Sequence, residues 1–255
     1  MSTRDSQKKP DWFESPKLLT LFALLPRVPL IAKTILLHLL QMSEASRYLD
    51  LKSEVTVSIM RAFLNPLKPI SISKTQAMTT RDPGIKGRIW ISKVASEMPP
   101  ENHIRDTLLA VIDFMREDRS TAAAGVSRIP EIAPVEAEWT GYRAKATLDA
   151  TLPPVSEEEK YEDMMRECSS SPTVLYFHGG AYYLGDPATH RPLTRKLAKL
   201  TGGRVYSVRY RLAPQHPFPS ALLDALVSYF TLLYPPPGAI HEAVPASDIV
   251  FGGDR

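Results

Sequence analysis

Two neighbouring backbone amides are the groups in this sequence best placed to do chemistry. His178-Gly179-Gly180-Ala181 directly follows the apolar run from Thr173 to Phe177, which reads as a buried strand. A small-residue turn at that point leaves its N–H groups unclaimed by helix or ladder bonds. Two such donors aimed at one point stabilise a developing oxyanion, and one donor is worth about 2.7–4 kcal/mol. Glycine there lets the backbone come close to a reacting carbon. Taken alone, the tetrapeptide favours a plain tight turn beside a core histidine. A second block follows one strand later, Tyr210-Arg211-Leu212-Ala213-Pro214-Gln215-His216-Pro217-Phe218-Pro219-Ser220-Ala221. From its residues this block is structural. Its prolines fix an irregular crossing, Phe218 fills a pocket, and a helix begins after Pro219.

Taken together, in this order and at this spacing, the two blocks resemble the hormone-sensitive-lipase group of α/β-hydrolase esterases and lipases. In that group a His-Gly-Gly-Gly motif precedes Tyr-Arg-Leu-Ala-Pro-Glu-His-Pro-Phe-Pro-Ala. The resemblance implies an α/β fold. It implies that the N–H groups of Gly180 and Ala181 form most of an oxyanion hole, with His178 and Gly179 supporting the loop and His178 transferring no proton. It implies a small hydrophobic carboxylic ester as substrate, and neither metal nor organic cofactor. Three positions depart from the group. Ala181 replaces a third glycine and is tolerable only with backbone angles open to an L-residue. Gln215 replaces a glutamate and Arg209 an aspartate, which alters local pairing and leaves the reaction class unchanged.

Ile249-Val250-Phe251-Gly252-Gly253-Asp254 is similar to the strand that leads into the group's Gly-Asp-Ser-Ala-Gly elbow. Arg255 stands in the serine's place, and no Gly-x-Ser-x-Gly occurs elsewhere in the sequence. The resemblance therefore implies a chain truncated just before the nucleophile elbow. In this fold the triad runs Ser, then Asp or Glu, then His, so all three would lie beyond residue 255. Neither His216 nor Asp224 takes such a role. The expectation is an ester hydrolase by resemblance, holding the oxyanion half and no catalytic residues, hence inactive as these 255 residues. The alternative is a non-catalytic protein derived from a hydrolase, which binds a ligand, a membrane or a partner.

The elements that must hold this site follow from pattern. Leu193, Leu197 and Leu200 lie at helical spacing and end at Gly202-Gly203. Arg204 to Val208 is a second strand. Ser220 to Leu233 is a helix, with Leu222, Leu226 and Phe230, and Leu223 and Val227, on its apolar face. Ile249 starts a third strand. Strand–helix–strand–helix–strand marks a parallel α/β sheet, here the N-terminal half of an α/β-hydrolase sheet. Before it, Val135, Ala137 and Trp139 alternate with Glu136, Glu138 and Thr140, the signature of a half-exposed strand. Thr151 to Pro172 reads as a polar surface loop. Residues 1–130 read as a mostly helical, cap-like region, with helices over Leu49 to Leu64 and around Ile104, Leu108, Ile112 and Met115. Residues 131–255 read as an incomplete hydrolase core. His38, His103 and His190 are isolated and read as surface or core residues.

Composition narrows the function classes. The 255 residues are 44% hydrophobic and 23% charged, in the range of globular proteins. A net charge of only +3, from 31 basic and 28 acidic residues, argues against a nucleic-acid partner. The single cysteine, Cys168, excludes an intrachain disulfide. Residues 18–42 are the most apolar stretch, in three blocks broken by Arg27, Lys33 and His38, and Pro26 and Pro29 break a helix between them. Spanning a bilayer needs about 20 predominantly apolar residues with few charges, which no block supplies. The segment reads as a pair of amphipathic helices packed on a core, or else as a peripheral membrane contact. The location that follows is cytoplasmic or associated with the endoplasmic-reticulum membrane.

Overall fold

Short apolar runs bounded by turn residues build a sheet that carries helices on both faces. A computed structural model describes residues 25–64, 70–95, 103–115 and 130–254. The apolar block from Leu18 to Leu24, Pro66, Pro69 and Arg255 lie outside the described residues. The chain divides into two compact units, residues 1–71 and 72–255.

In the first unit, α1 (Val28–Leu39) carries Pro29 in its first turn, where a missing N–H costs nothing. It is followed by α2 (Leu51–Leu64), and the two helices pack together. No helix among the described residues is long and apolar enough to cross a membrane.

The second unit contains α3 (Ile72–Thr79), α4 (His103–Phe114), α5 (Glu157–Glu167), α6 (Pro187–Thr201) and α7 (Ser220–Leu233). Its strands are β1 (Ile89–Ala95), β2 (Glu136–Tyr142), β3 (Thr173–Phe177), β4 (Arg204–Arg209) and β5 (Ile249–Gly253). They form one mixed sheet in the order β1-β2-β4-β3-β5. β1, β2 and β4 pair antiparallel, and β4, β3 and β5 are parallel. The crossover through α6 takes the chain from β3 to one neighbour, and β5 returns to the other side of β3. In such sheets the crevice outside the carboxyl ends, where the direction of winding reverses, is the usual ligand site.

Both faces of the inner strands are covered, whereas Val250 and Phe251 of the edge strand β5 are exposed. Trp139, Leu175, Tyr206 and Val208 pack with Tyr161 and Met164 of α5 and Val227 and Leu232 of α7. Trp139 is the centre of this layer, edge-on to Tyr206 at 4.7 Å between ring centroids. On the opposite face Val174, Tyr176 and Val205 pack against Ala198 of α6. Gly202 ends α6 in the left-handed region, at φ 68°.

The described part of residues 1–130 is mostly helical, as the pattern reads, and adds the strand β1. Three expectations are corrected. β2 is not half-exposed: Glu138 and Thr140 are fully buried beneath α6. A buried carboxylate needs a partner, and Arg191 of α6 supplies it, with Nη2 2.6 Å from Glu138 Oε1. The polar stretch from Thr151 to Pro172 is not all loop, because α5 crosses it. Ser156 caps that helix, accepting from the Glu159 N–H at 3.1 Å, while the Ser156 N–H donates to Glu159 Oε2 at 3.0 Å. Ser156→Ala is expected to lower stability by about 1 kcal/mol, read from the urea midpoint. On α7, Leu223, Val227 and Leu232 are buried together with Asp224 and Ser228, whereas Leu222 and Phe230 keep 37% and 36% of their surface exposed.

Candidate active site

The loop from His178 to Asp186 leaves the carboxyl end of β3 and turns back on itself within a few residues. The N–H groups of Tyr183 and Leu184 donate to the Gly180 carbonyl oxygen at 3.1 and 2.9 Å. This turn requires positive φ at Gly180 (119°), Ala181 (51°) and Tyr182 (62°). Ala181 is thus in the left-handed region, allowed to an L-residue at a cost of roughly 1–2 kcal/mol. The turn spends its carbonyl on closing itself. The N–H groups of Gly180 and Ala181 have no hydrogen-bond partner among the described residues.

Gly180 lines an open cleft of about 420 Å³ at the carboxyl ends of β3 and β5, and Ala181 follows it in the loop. Met78, Thr79 and Leu184 form part of its wall, and Gly179, Gly180, His190 and Asp254 complete the polar side. Asp254 anchors the loop. Its Oδ1 accepts the Gly179 N–H at 2.9 Å and the Tyr176 hydroxyl. Burial pushes the Asp254 carboxyl up, but the bonds from Tyr176 and Gly179 outweigh it and hold the group below its ordinary value. His190 Nε2 lies 3.5 Å from Asp254 Oδ2.

His178 is buried, stacked between Tyr210 at 4.4 Å and His190 at 5.3 Å. Burial lowers its affinity for a proton, so the ring is neutral at pH 7. Its Nδ1 lies 2.9 Å from the Gly179 carbonyl oxygen, which fits a tautomer donating from Nδ1. Tyr210 donates to the His178 carbonyl oxygen at 2.5 Å. A neutral, stacked imidazole bonded to its own loop suits a brace better than a proton carrier.

The second block locks the outer side of the loop. The Ala213 N–H donates to the Tyr182 carbonyl oxygen at 2.9 Å. Gln76 of α3 donates through Nε2 to the carbonyl oxygens of Tyr183 and Ala213, at 3.0 and 2.8 Å. Gln215 donates to Gln76 Oε1 at 2.8 Å, a bond that an ionised glutamate cannot make. Arg209 binds Asp186, the N-cap of α6, through Nε at 2.7 Å and Nη2 at 3.1 Å. Both departures from the group's pattern therefore have local partners. Asp224 is occupied by Arg211, with Oδ1 2.7 Å from Nη2 and Oδ2 2.7 Å from the backbone N–H. Phe218 fills no pocket and is 70% exposed.

Sequence reasoning singled out His178, Gly179, Gly180 and Ala181, and the fold places all of them in this one loop. It missed His190, Tyr176 and Asp254. For His190 a signal was present. Asp186-Pro187 is an N-cap followed by a first-turn proline, which starts α6 at the carboxyl end of the sheet and sets His190 in its first turn. Among the described residues no three His, Cys, Asp or Glu side chains converge as a metal site.

Residues 174–255 match the family model described as an alpha/beta hydrolase fold. An acetyl-hydrolase of Streptomyces hygroscopicus is 44% identical over 82 residues, covering 32% of this chain and 25% of that protein. An esterase of Acinetobacter venetianus is 34% identical over 93 residues, covering 36% of this chain and 28% of that protein. The crystal structure of EstE5 aligns at a TM-score of 0.43 with 19% identity, over 74% of this chain and 42% of that one. The chain thus spans 25–28% of the length of these two curated relatives. The matched segment contains both motif blocks, and over it the chain matches an alpha/beta hydrolase fold and is similar to part of an acetyl-hydrolase and of an esterase.

Proposed function

We propose that the cleft at the carboxyl ends of β3 and β5 holds the carbonyl oxygen of a small hydrophobic carboxylic ester, in a hydrolase of the esterase and lipase class. The supporting observation is that the N–H groups of Gly180, which lines an open cleft, and of the adjacent Ala181 have no hydrogen-bond partner among the described residues. As a carbonyl carbon is attacked, its oxygen gains charge, and preorganised donors stabilise that charge more than they stabilise the ground state. The loop is preorganised by the Gly180 turn, by Asp254 beneath Gly179 and by Gln76 on its outer side. His178 braces it.

Nucleophilic ester hydrolysis also needs an activated nucleophile with its base. Asp224 is committed to Arg211, and the 255 residues contain no serine in a Gly-x-Ser-x-Gly setting. These residues therefore supply charge stabilisation and positioning. A polypeptide of these residues alone is expected to give no site-specific fluorophosphonate labelling and no turnover of short acyl esters. Fused after Asp254 to the part of an esterase relative that brings the serine, acid and base, it is expected to hydrolyse those esters. Labelling with turnover by the unfused chain, or a folded and labelled fusion without hydrolysis, overturns the reading.

A further inference from the structure

α1 exposes a broad apolar arc. Its other side holds polar groups beside the half-buried Ile31 and Ile35. Thr34 is buried there, donating to the Leu30 carbonyl oxygen at 2.9 Å. His38 Nδ1 lies 2.5 Å from Glu54 Oε2, and Glu54, itself buried on α2, also accepts from Ser43 Oγ at 2.6 Å. The other side carries Val28, Leu36, Leu39 and Leu40, with Met42 just beyond, each between 53% and 71% exposed. At 3.6 residues per turn the first four fall within about a third of the helix circumference. A helix facing water carries charged and polar residues on that arc.

Charge says what the exposed arc suits. Between Glu14 and Glu44 the sequence contains no acidic residue, but it has Lys17, Arg27, Lys33 and His38. Lys33 is exposed at the edge of the leucine arc, and Arg27 stands at the helix's N-terminal end. A leucine face bordered only by cations complements apolar acyl chains beneath anionic headgroups. The 12 residues of α1 measure about 18 Å, against a hydrocarbon core of about 30 Å. The helix is too short to cross and long enough to lie flat. We propose that α1 docks in the plane of an anionic phospholipid surface, its leucines at the acyl boundary and Lys33 and Arg27 among the phosphates. The proposal is independent of the hydrolase reading.

The test is flotation of the full chain with phosphatidylcholine vesicles, with and without phosphatidylserine. Binding is expected with phosphatidylserine, weaker without it, and reduced by salt. Leu36→Glu with Leu39→Glu is expected to abolish binding, which also separates α1 from the apolar residues before it. Both positions are exposed, so the far-UV circular dichroism should not change. Lys33→Gln is expected to weaken binding about fivefold, and it decides the matter if the leucine variant fails to fold. Failure to float with phosphatidylserine vesicles overturns the proposal. So does equal binding to both vesicles, or unchanged binding by the leucine and lysine variants. A dimer that Leu36→Glu dissolves, without vesicle binding, assigns the face to a second copy and overturns it too.

Discussion

Arg191→Met is expected to lower the unfolding free energy by about 3–5 kcal/mol, the cost of taking its hydrogen-bonded partner from a buried charge that keeps only Arg209, at 3.7 Å. The charge is Glu138, 0% exposed in the middle of β2. Arg191 meets it through Nε at 2.8 Å and Nη2 at 2.6 Å. The same guanidinium reaches Asp82 at 2.5 and 3.0 Å and the Gly84 carbonyl oxygen at 3.3 Å. One planar fork thus ties α6, β2 and the turn before β1 together. Arg191→Lys keeps the charge but not the fork, so it should recover only part of the loss. Arg191→Met with Glu138→Leu removes both buried charges and should be more stable than Arg191→Met alone. Guanidinium denaturation of the parent, Arg191→Met, Glu138→Leu and the double variant closes the cycle, with Arg191→Lys measured beside them. A loss under about 1 kcal/mol for Arg191→Met would mean that Glu138 finds water or another cation.

The same cluster sets an acid limit. The hydrogen bond from Arg191 is the main cause holding the Asp82 carboxyl well below the usual carboxylate range. Asp186 is also lowered: burial pushes it up, and its bonds to Arg209 and the Ala188 N–H outweigh that. A depressed carboxyl contributes stability above its unfolded value, near pH 4, and loses it as pH falls towards its folded value. The parent chain should therefore lose stability steadily below about pH 4. In Arg191→Met the part due to Asp82 should be missing from that acid slope.

The Glu138 pair also shows why the sheet was only partly legible in the sequence. β3, β4 and β5 announce themselves because each is a short apolar run closed by glycine or a polar turn. β2 also announces itself as a strand, but its glutamates read as a wet face. The partner that dries that face is 53 residues further on, and no local pattern contains it. β1 is hidden for a related reason. Its pairing with β2 is long-range, and its neighbours on either side carry helical stripes. α5 escapes periodicity because only Tyr161 and Met164 are buried; its Ser156-x-x-Glu159 box was the available signal. At the site, motif spacing singled out the loop whose Gly180 and Ala181 amides have no partner among the described residues. It could not find Asp254 under Gly179 or His190 beside it, since those positions arise only when β5 and α6 are set next to β3.

In the fused enzyme, Gly180→Ala is expected to reduce kcat about 10²–10³-fold, the cost of losing a preorganised donor. At φ 119° an L-residue is strained whatever room it has. Room is also lacking: a Cβ on Gly180 would stand 2.3 Å from the Leu184 carbonyl oxygen. That atom is backbone, so no rotamer change relieves the clash. The loop must open, and the Gly180 and Ala181 N–H groups swing away from their common target. KM should change far less than kcat, because the donors act mainly on charge that develops in the transition state. The next residue predicts the opposite sign. Ala181 already sits at φ 51°, a conformation glycine adopts without penalty, so Ala181→Gly relieves strain at the cost of extra freedom in the unfolded chain. It should be neutral or stabilising by up to about 1 kcal/mol, with activity within a few-fold of the parent. Two adjacent one-carbon changes would then differ by orders of magnitude in rate, for a reason that lies in backbone angles alone. If Gly180→Ala turns over like the parent, the oxygen is held elsewhere in the cleft and the role given to this loop fails.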